Sequence, residues 1–305
     1  MFNYSYVVGL PLAVIIIVLL ATQYPNIKHQ ATAGRKMDVL GIFLLVFTVA
    51  AITGYLNFGG KQFAFGSALG LGILAAGAVL LIILIVYESK NANPSVPVKL
   101  FLRKPFAIAF ISMLTLSFFV TSSAGYIILF AQNGMGISAE LSSTIVMPQT
   151  ICQALVGTFI GAFFAKNVAK RLKPLYLTSL FLGGAALIIW SMLGAGSSIM
   201  FIYLGSLIGG VGYAISQAVF TPYFQTCLVP AEYGQAQSLY SFASSAGSCL
   251  FSAIAGVIMN NSGLDLGSSI AMTFRIGGIS IAVALVIAIL FIKMPKPAAD
   301  TGSAG

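Results

Sequence analysis

The sequence predicts an all-α membrane protein with nine transmembrane helices. Of its 305 residues, 59 % are hydrophobic and only 7 % are charged, and the mean hydropathy is +1.01. A soluble domain carries about 25 % charged residues, so this chain has too little polar surface to face water. Its apolar residues fall in runs of about 20, the length that an α-helix needs to cross a bilayer. Because these runs are continuous rather than alternating, they exclude a transmembrane β-barrel.

The nine spans divide the chain into four parts. A single span and a polar cytoplasmic loop (residues 1–37) precede a hairpin of two spans with its loop (38–105). A bundle of six spans (106–294) and a tail that is predicted to be disordered (295–305) follow. The spans are expected at residues 4–22, 38–56, 66–87, 106–131, 142–165, 174–194, 198–221, 234–260 and 268–293.

Lysine and arginine residues lie almost entirely on one side of the predicted bilayer. Alternate loops carry 13 of them on one side and Lys61 alone on the other, while Arg275 lies within a span. Because such residues retain loops in the cytoplasm, we expect a cytoplasmic C-terminus, an external N-terminus and a location in the cell (plasma) membrane. The same rule accounts for the net charge of +9, so no nucleic-acid partner is expected. An external N-terminus without a charged signal region also predicts that Met1 begins part-way through a longer protein.

The sequence lacks the residues that catalysis or metal binding would need. It contains one histidine, His29, and its three cysteines lie far apart, in or beside apolar runs, where a free cysteine acts as a small hydrophobe. The six acidic residues lie at span edges or in loops: Asp38, Glu88, Glu140, Glu232, Asp265 and Asp300. Paired carboxylates, nucleophilic triads and metal clusters all lack members. We therefore expect a protein that is not an enzyme and that holds no metal or cofactor.

Polar residues inside the bundle spans are the candidate substrate contacts. Gln149 and Gln153 share a helix face because they are four residues apart, and Tyr213, Ser216 and Gln217 share a face of a later span. A Gly-Tyr pair recurs in the first helix of each half of the bundle, as inverted repeats would place it. The predicted substrate-binding residues are Tyr126, Gln149, Gln153, Tyr213, Ser216 and Gln217. Whether they contact a substrate or each other stays open at this point, and Ser241, Ser244, Ser245 and Ser248 are expected to be packing residues.

Short phrases along the chain carry a family resemblance. They are Asp38, Leu40 and Gly41 in "GRKMDVLGIFLL", Leu100 to Ala107 in "NPSVPVKLFLRKPFAIA", and Pro230, Gly234 and Ala236. Together with the order of one span, a hairpin and six spans, they make the chain resemble a major facilitator superfamily transporter of the fourteen-span drug:proton antiporter type. The resemblance is to the C-terminal portion of such a transporter, from its sixth span onward. It implies a partial major facilitator fold with one complete six-helix bundle.

The resemblance also implies roles for charged residues. Gly161, Lys166, Lys170 and Arg171 resemble a degenerate copy of the family's cytoplasmic loop motif, whose acidic member is absent here. Arg275 is the one charge inside a predicted span. It either snorkels to the outer interface or contacts a carboxylate of another transporter half.

The function that the resemblance implies is secondary active transport. We expect efflux of the multidrug type by alternating access, with a small amphipathic or cationic substrate. The expected partners are the lipid bilayer and a separate N-terminal half. The alternative is a non-transporting membrane module, or a remnant, that binds a partner half.

Overall fold

The computed structural model describes residues 11, 14–19, 22, 38–59, 62–91, 94, 98–165, 168–194, 196–226 and 233–292. Two compact units divide the chain, Met1–Met37 and Asp38–Gly305. In the first unit, residues 14–19 are helical and the hydroxyl of Thr22 donates to the carbonyl of Val18 over 2.7 Å. The rest of the first predicted span, the loop after it and the predicted tail lie outside the described residues.

The described part of the second unit contains ten α-helices and no β-strand. Four of them begin at a polar residue (Asp38, Ser67, Ser138 or Asp265) whose side chain accepts a hydrogen bond from a backbone N–H of the first turn, which stabilises a helix start. The helices are α1 Val39–Phe58, α2 Ala68–Lys90, α3 Lys104–Thr121, α4 Ile127–Gly134, α5 Ala139–Ser143, α6 Met147–Ala165, α7 Val168–Ser191, α8 Ile199–Thr226, α9 Tyr233–Asn261 and α10 Leu266–Phe291.

Eight helical segments of the described chain are long and apolar enough to cross a membrane. They coincide with the second to ninth predicted spans, which confirms the predicted fold class. The protein is a multi-pass all-α membrane protein. The proposed domain boundaries at residues 105 and 294 stay predictions.

Three spans differ in detail from the prediction. A single π-helical turn, Ser122–Tyr126, joins α3 to α4. The predicted span 142–165 begins with α5 and a 3₁₀ turn, Thr144–Val146, before α6 starts. The helix that contains the span predicted from residue 174 begins at Val168, so part of the basic stretch lies in the first turns of α7 rather than in a loop. The cause is that lysine and arginine are good helix formers, so the end of an apolar run does not mark the end of a helix.

Glycines on α8 allow bulky side chains of its neighbours to lie against its backbone. α8 packs against α6 and α7, and α10 packs against α7 and α3. A Cβ atom at Gly205 would lie 2.1 Å from the indole nitrogen of Trp190, and one at Gly209 would lie 2.1 Å from the ring of Phe119. The Trp190 and Phe119 rings stack with centroids 5.5 Å apart, and both are fully buried. Small residues therefore position the centre of the bundle, as is usual between membrane helices.

A polar cluster joins the open ends of the hairpin α1–α2. The carboxylate of Asp38 accepts from the backbone N–H of Gly41 over 2.9 Å, from the hydroxyl of Tyr87 over 2.9 Å and from the side-chain amide of Asn91 over 2.8 Å. A Cβ atom at Gly41 would lie 2.2 Å from Oδ2 of Asp38 and 2.5 Å from Oε1 of Glu88. Only glycine fits at position 41 without a shift of these two acids, which gives a physical reason for the Asp38 and Gly41 pair in the family-like phrase.

Candidate substrate-binding face

The outer surface of α9 differs from that of the other spans. The exposed side chains of its residues 237–260 are all polar: Gln237, Ser238, Ser241, Ser245 and Asn260. The neighbouring helix α10 instead exposes large apolar side chains such as Met272, Ile279 and Val283. Because lipid-facing helix surfaces are apolar and polar groups inside a membrane usually face a bundle interior or a water-filled cavity, this side of α9 is unsuited to lipid. Ser241 and Ser245 were expected to be packing residues, but both are exposed on this side of α9.

The C-terminal half of α8 extends this polar surface. Gln217 is the one exposed residue among residues 208–224, whereas the N-terminal half of α8 exposes Met200, Leu204 and Leu207. At about 100° per residue, Gln217 lies roughly 80–140° around the helix from these three apolar residues. We call the surface formed by Tyr213, Gln217, Gln237, Ser241 and Ser245 the α8–α9 face.

Hydrogen bonds between side chains link the two helices along this face. The hydroxyl of Tyr240 donates to Oε1 of Gln217 over 2.7 Å, and Nε2 of Gln217 donates to the hydroxyl of Tyr213 over 3.1 Å. One turn further along, the hydroxyl of Thr221 donates to Oε1 of Gln237 over 3.1 Å. The predicted residues Tyr213 and Gln217 are thus brought together, and α9 supplies a third member, Tyr240, which the sequence did not single out.

Aromatic packing fixes Tyr240 in place. Its side chain is only 8 % exposed. Its ring lies at centroid distances of 6.4 Å from Phe220 and 6.0 Å from Phe224, and Phe220 in turn stacks on Tyr176 at 4.4 Å. Tyr240 therefore approaches the α8–α9 face from inside the bundle.

The remaining predicted substrate residues lie elsewhere. Ser216 is fully buried and its hydroxyl donates to the carbonyl of Tyr213 over 2.7 Å, so it bonds its own helix. Gln149 is also buried, its Oε1 accepts no hydrogen bond, and its backbone lies against Gly210 of α8. Gln153 is half-buried, and no hydrogen bond joins it to Gln149.

Tyr126 lies apart from the network of Tyr213. It ends the π-helical turn, its hydroxyl donates to the carbonyl of Ser252 over 3.4 Å, and its ring meets Phe251 edge-on at 5.7 Å. Ser252 is twelve residues beyond Tyr240, about 18 Å along α9. The structure thus does not unite the two Gly-Tyr tyrosines in one site.

In the described residues, no group of three histidine, cysteine or acidic side chains could hold a metal ion.

Comparison with known proteins finds relatives that are named as transporters or multidrug resistance proteins. The multidrug transporter protein MdtP of Bacillus subtilis is 24 % identical over 258 residues, which are 85 % of this chain and 47 % of MdtP. The multidrug resistance protein 3 of the same organism is 23 % identical over 261 residues, 85 % of this chain and 50 % of that protein. An uncharacterized MFS-type transporter of Mycobacterium tuberculosis is 21 % identical over 259 residues, 85 % of this chain and 37 % of that protein. No protein-family model matches the chain.

The chain is a relative of multidrug and MFS-type transporters. It spans about half, or less, of the length of these relatives. That coverage is consistent with the C-terminal portion that the sequence resembles.

The motif-like basic stretch of this transporter relative makes structural contacts. The guanidinium group of Arg171 donates to the carbonyl of Phe163 and lies 3.7 Å from the centre of that residue's ring, so it ties the start of α7 to the end of α6. The ammonium group of Lys173 donates to the carbonyl of Ile292 over 3.0 Å, and a positive charge at the end of α10 complements the helix dipole. Gly161 and Lys170 lie in α6 and α7, and Lys166 lies outside the described residues.

Arg275 has no charged partner in the described part of the chain. It is the tenth residue of α10, about 14 Å along the helix from its start, and it is exposed between Met272 and Ile279 on the apolar side. Neither of its two predicted roles is tested by this placement, and both stay predictions.

Proposed function

We propose that the chain is the C-terminal portion of a secondary transporter that exports small amphipathic or cationic molecules, and that the α8–α9 face contacts the substrate. The observation that carries this proposal is the α8–α9 face itself. It is a polar surface on helices whose neighbours expose large apolar side chains, in a chain whose relatives are named as multidrug transporters.

The composition of the face suits an amphipathic ligand. Binding sites for such molecules combine aromatic and apolar walls with a few polar groups that orient the ligand. Tyr213 supplies an aromatic ring and a hydroxyl, Gln217 an amide, and the exposed serines of α9 supply further hydroxyls. One bundle offers only one wall of a cavity, so we infer that a second, N-terminal half closes the site and that transport proceeds by alternating access. The location would be the cell membrane, with the C-terminus in the cytoplasm.

A steric block on the face tests the proposal. The purified chain in lipid nanodiscs is expected to bind tetraphenylphosphonium, a lipophilic cation, in equilibrium dialysis. Ser245→Trp fills the α8–α9 face without entering the bundle core, so it is expected to weaken binding about tenfold or more, the loss of roughly 1.4 kcal/mol. Ile279→Trp, the same new side chain on the exposed apolar side of α10, is the matched control and is expected to leave binding unchanged.

Two results would contradict the proposal. One is equal weakening by both tryptophan variants, which would place the ligand in the lipid or in a site common to the whole bundle. The other is no binding at all.

The alternative function is a non-transporting module that binds a partner half. It is supported by the same polar face and by the match to only about half, or less, of the relatives' length. It predicts no binding of the cation by the purified chain. It also predicts that Ser245→Trp disrupts association with a partner half.

A further inference from the structure

The direction of the hydrogen bonds at the α8–α9 face follows from the burial of Tyr240. Its side chain is buried in the bundle, and among the described residues its hydroxyl donates to the amide of Gln217. The proton of a buried side-chain hydroxyl needs an acceptor, and in the described part of the chain Oε1 of Gln217 accepts it over 2.7 Å. The amide of Gln217 is thereby oriented with its oxygen toward Tyr240.

This orientation determines what Tyr213 presents. With its oxygen turned to Tyr240, Gln217 directs Nε2 toward Tyr213 and donates to the oxygen of that hydroxyl. The reverse arrangement, in which Tyr213 donates to Gln217, would direct Nε2 at Tyr240 and leave the buried Tyr240 proton without an acceptor. The hydroxyl of Tyr213 thus accepts one hydrogen bond and keeps its own proton free. Its side chain is only half-buried and stands beside the exposed Gln217.

We propose that the hydroxyl of Tyr213 is a dedicated hydrogen-bond donor to the substrate, and that Tyr240 is the positioning residue that keeps it one. This inference rests on the proposed function. It narrows the substrate class to amphipathic molecules that carry a hydrogen-bond acceptor, such as a carbonyl oxygen, next to an apolar or aromatic body. Tyr240 does not touch the substrate and acts through Gln217.

A matched pair of probes tests the inference. Tetraphenylphosphonium has no acceptor, and (4-acetylphenyl)triphenylphosphonium has the same charge and aromatic body with one added carbonyl. The full chain in nanodiscs is expected to bind the acetyl probe about two- to tenfold more tightly, the range of one net hydrogen bond. Tyr213→Phe removes the donor and is expected to abolish this preference, so that the variant binds the two probes equally tightly.

Tyr240→Phe gives the decisive result. Without the Tyr240 hydroxyl, Gln217 is released to turn its oxygen to Tyr213 and accept the proton that the substrate would have used. The preference for the acetyl probe is then expected to disappear as fully as in Tyr213→Phe. Tyr203→Phe is the matched control, because the hydroxyl of Tyr203 lies near the other end of α8 and pairs with Thr144.

The outcomes separate the inference from the proposed function. If wild-type chain binds both probes equally, the Tyr213 donor is overturned while the proposed function stands. If Tyr240→Phe weakens both probes to the same extent, Tyr240 is a packing residue and its positioning role is overturned. If Tyr203→Phe also removes the preference, the effect is not specific to this network and the inference fails. If neither probe binds, the proposed function fails and the inference fails with it.

Discussion

Helices α9 and α10 follow each other along the chain but expose opposite kinds of surface. Both are long and apolar enough to cross a membrane. Among residues 237–260 of α9 the exposed side chains are glutamine, serine and asparagine, whereas those of α10 include Met272, Ile279, Val283 and Leu290. The difference shows that overall apolarity assigns a helix to the membrane, while the few side chains left exposed by packing indicate whether a given face meets lipid or something polar.

The helices also differ in where along their length polar side chains form hydrogen bonds. In the described residues of α1, α2 and α10, hydrogen bonds of charged side chains lie at helix ends, as in the cluster around Asp38 and the bond from Lys173 to the end of α10. On α8 and α9, polar contacts lie within the spans. Charge on a lipid-facing helix costs least where the headgroups can solvate it, and Arg275, exposed about 14 Å from the start of α10, is the exception.

The largest expected effect comes from placing a charge on each of the two faces. Val283→Asp puts a carboxylate on the lipid side of α10, within the span and two turns from Arg275, where insertion scales assign a cost of about 2.5–3.5 kcal/mol at the helix centre. Ser245→Asp puts the same group on the α8–α9 face and is expected to cost much less. Thermal unfolding in nanodiscs and the yield of membrane-inserted protein measure the difference. Equal losses for the two variants would break the comparison.

A smaller effect on stability is expected from alanine substitutions at two glycines of α9, one on its packed side and one with open space beside it. A Cβ atom at Gly247 would lie 2.1 Å from the carbonyl oxygen of Leu114 on α3, whereas one at Gly256 would meet nothing within 4 Å. Gly247→Ala is therefore expected to lower the free energy of unfolding by about 1–3 kcal/mol. Gly256→Ala is expected to be neutral or to stabilise α9 slightly, because alanine is the better helix former. Chemical denaturation of both variants measures this, and a harmless Gly247→Ala would show that the inner side of α9 is not tightly packed.

The smallest effect concerns the start of α10, outside the membrane span. Asp265 accepts a hydrogen bond from the backbone N–H of Ser268 over 3.0 Å, and its hydrogen bonds to Ser268 hold the pKa of its carboxyl below the ordinary range. The ionised carboxylate therefore stabilises the fold at pH values above the ordinary aspartate pKa of about 4. This stabilisation is lost as the pH falls through the lowered pKa.

The pH dependence of the thermal midpoint checks this assignment. Wild-type protein is expected to lose a small part of its stability below about pH 4. Asp265→Asn, which keeps a side-chain acceptor at the helix start, is expected to lose less over the same interval. Identical profiles for the two proteins would mean that the carboxylate contributes nothing as a cap.

The spans were predictable from the sequence because length and apolarity are local properties. The faces were not, because they depend on which neighbours cover a helix. Ser241 and Ser245 were expected inside the bundle and are exposed, and Tyr240 was not considered because a single tyrosine before a serine run carries no signal of its own. The spacing of Gln237, Ser241 and Ser245 at intervals of four residues was a usable signal, since it places three polar side chains on one side of a helix.

The predicted site residues differ in whether their side chains bond each other or the backbone, and their contact with a substrate stays a prediction. Tyr213 and Gln217 lie four residues apart and join through the amide. Ser216 lies between them in the sequence, but a serine hydroxyl in a helix readily bonds a carbonyl of the preceding turn. Its hydroxyl donates to the carbonyl of Tyr213. No sequence pattern distinguishes these two outcomes.

The most direct test of the account is the surroundings of α9 in a bilayer. Spin labels are attached at Ser245→Cys and Ile279→Cys in a chain whose native cysteines are replaced by alanine, and their collisions with oxygen and with a water-soluble nickel chelate are compared. The label at position 279 is expected to collide mainly with oxygen, as in lipid, and the label at position 245 is expected to collide mainly with the nickel chelate. Lipid-like collisions at both positions would contradict the assignment of the α8–α9 face as the substrate-binding surface.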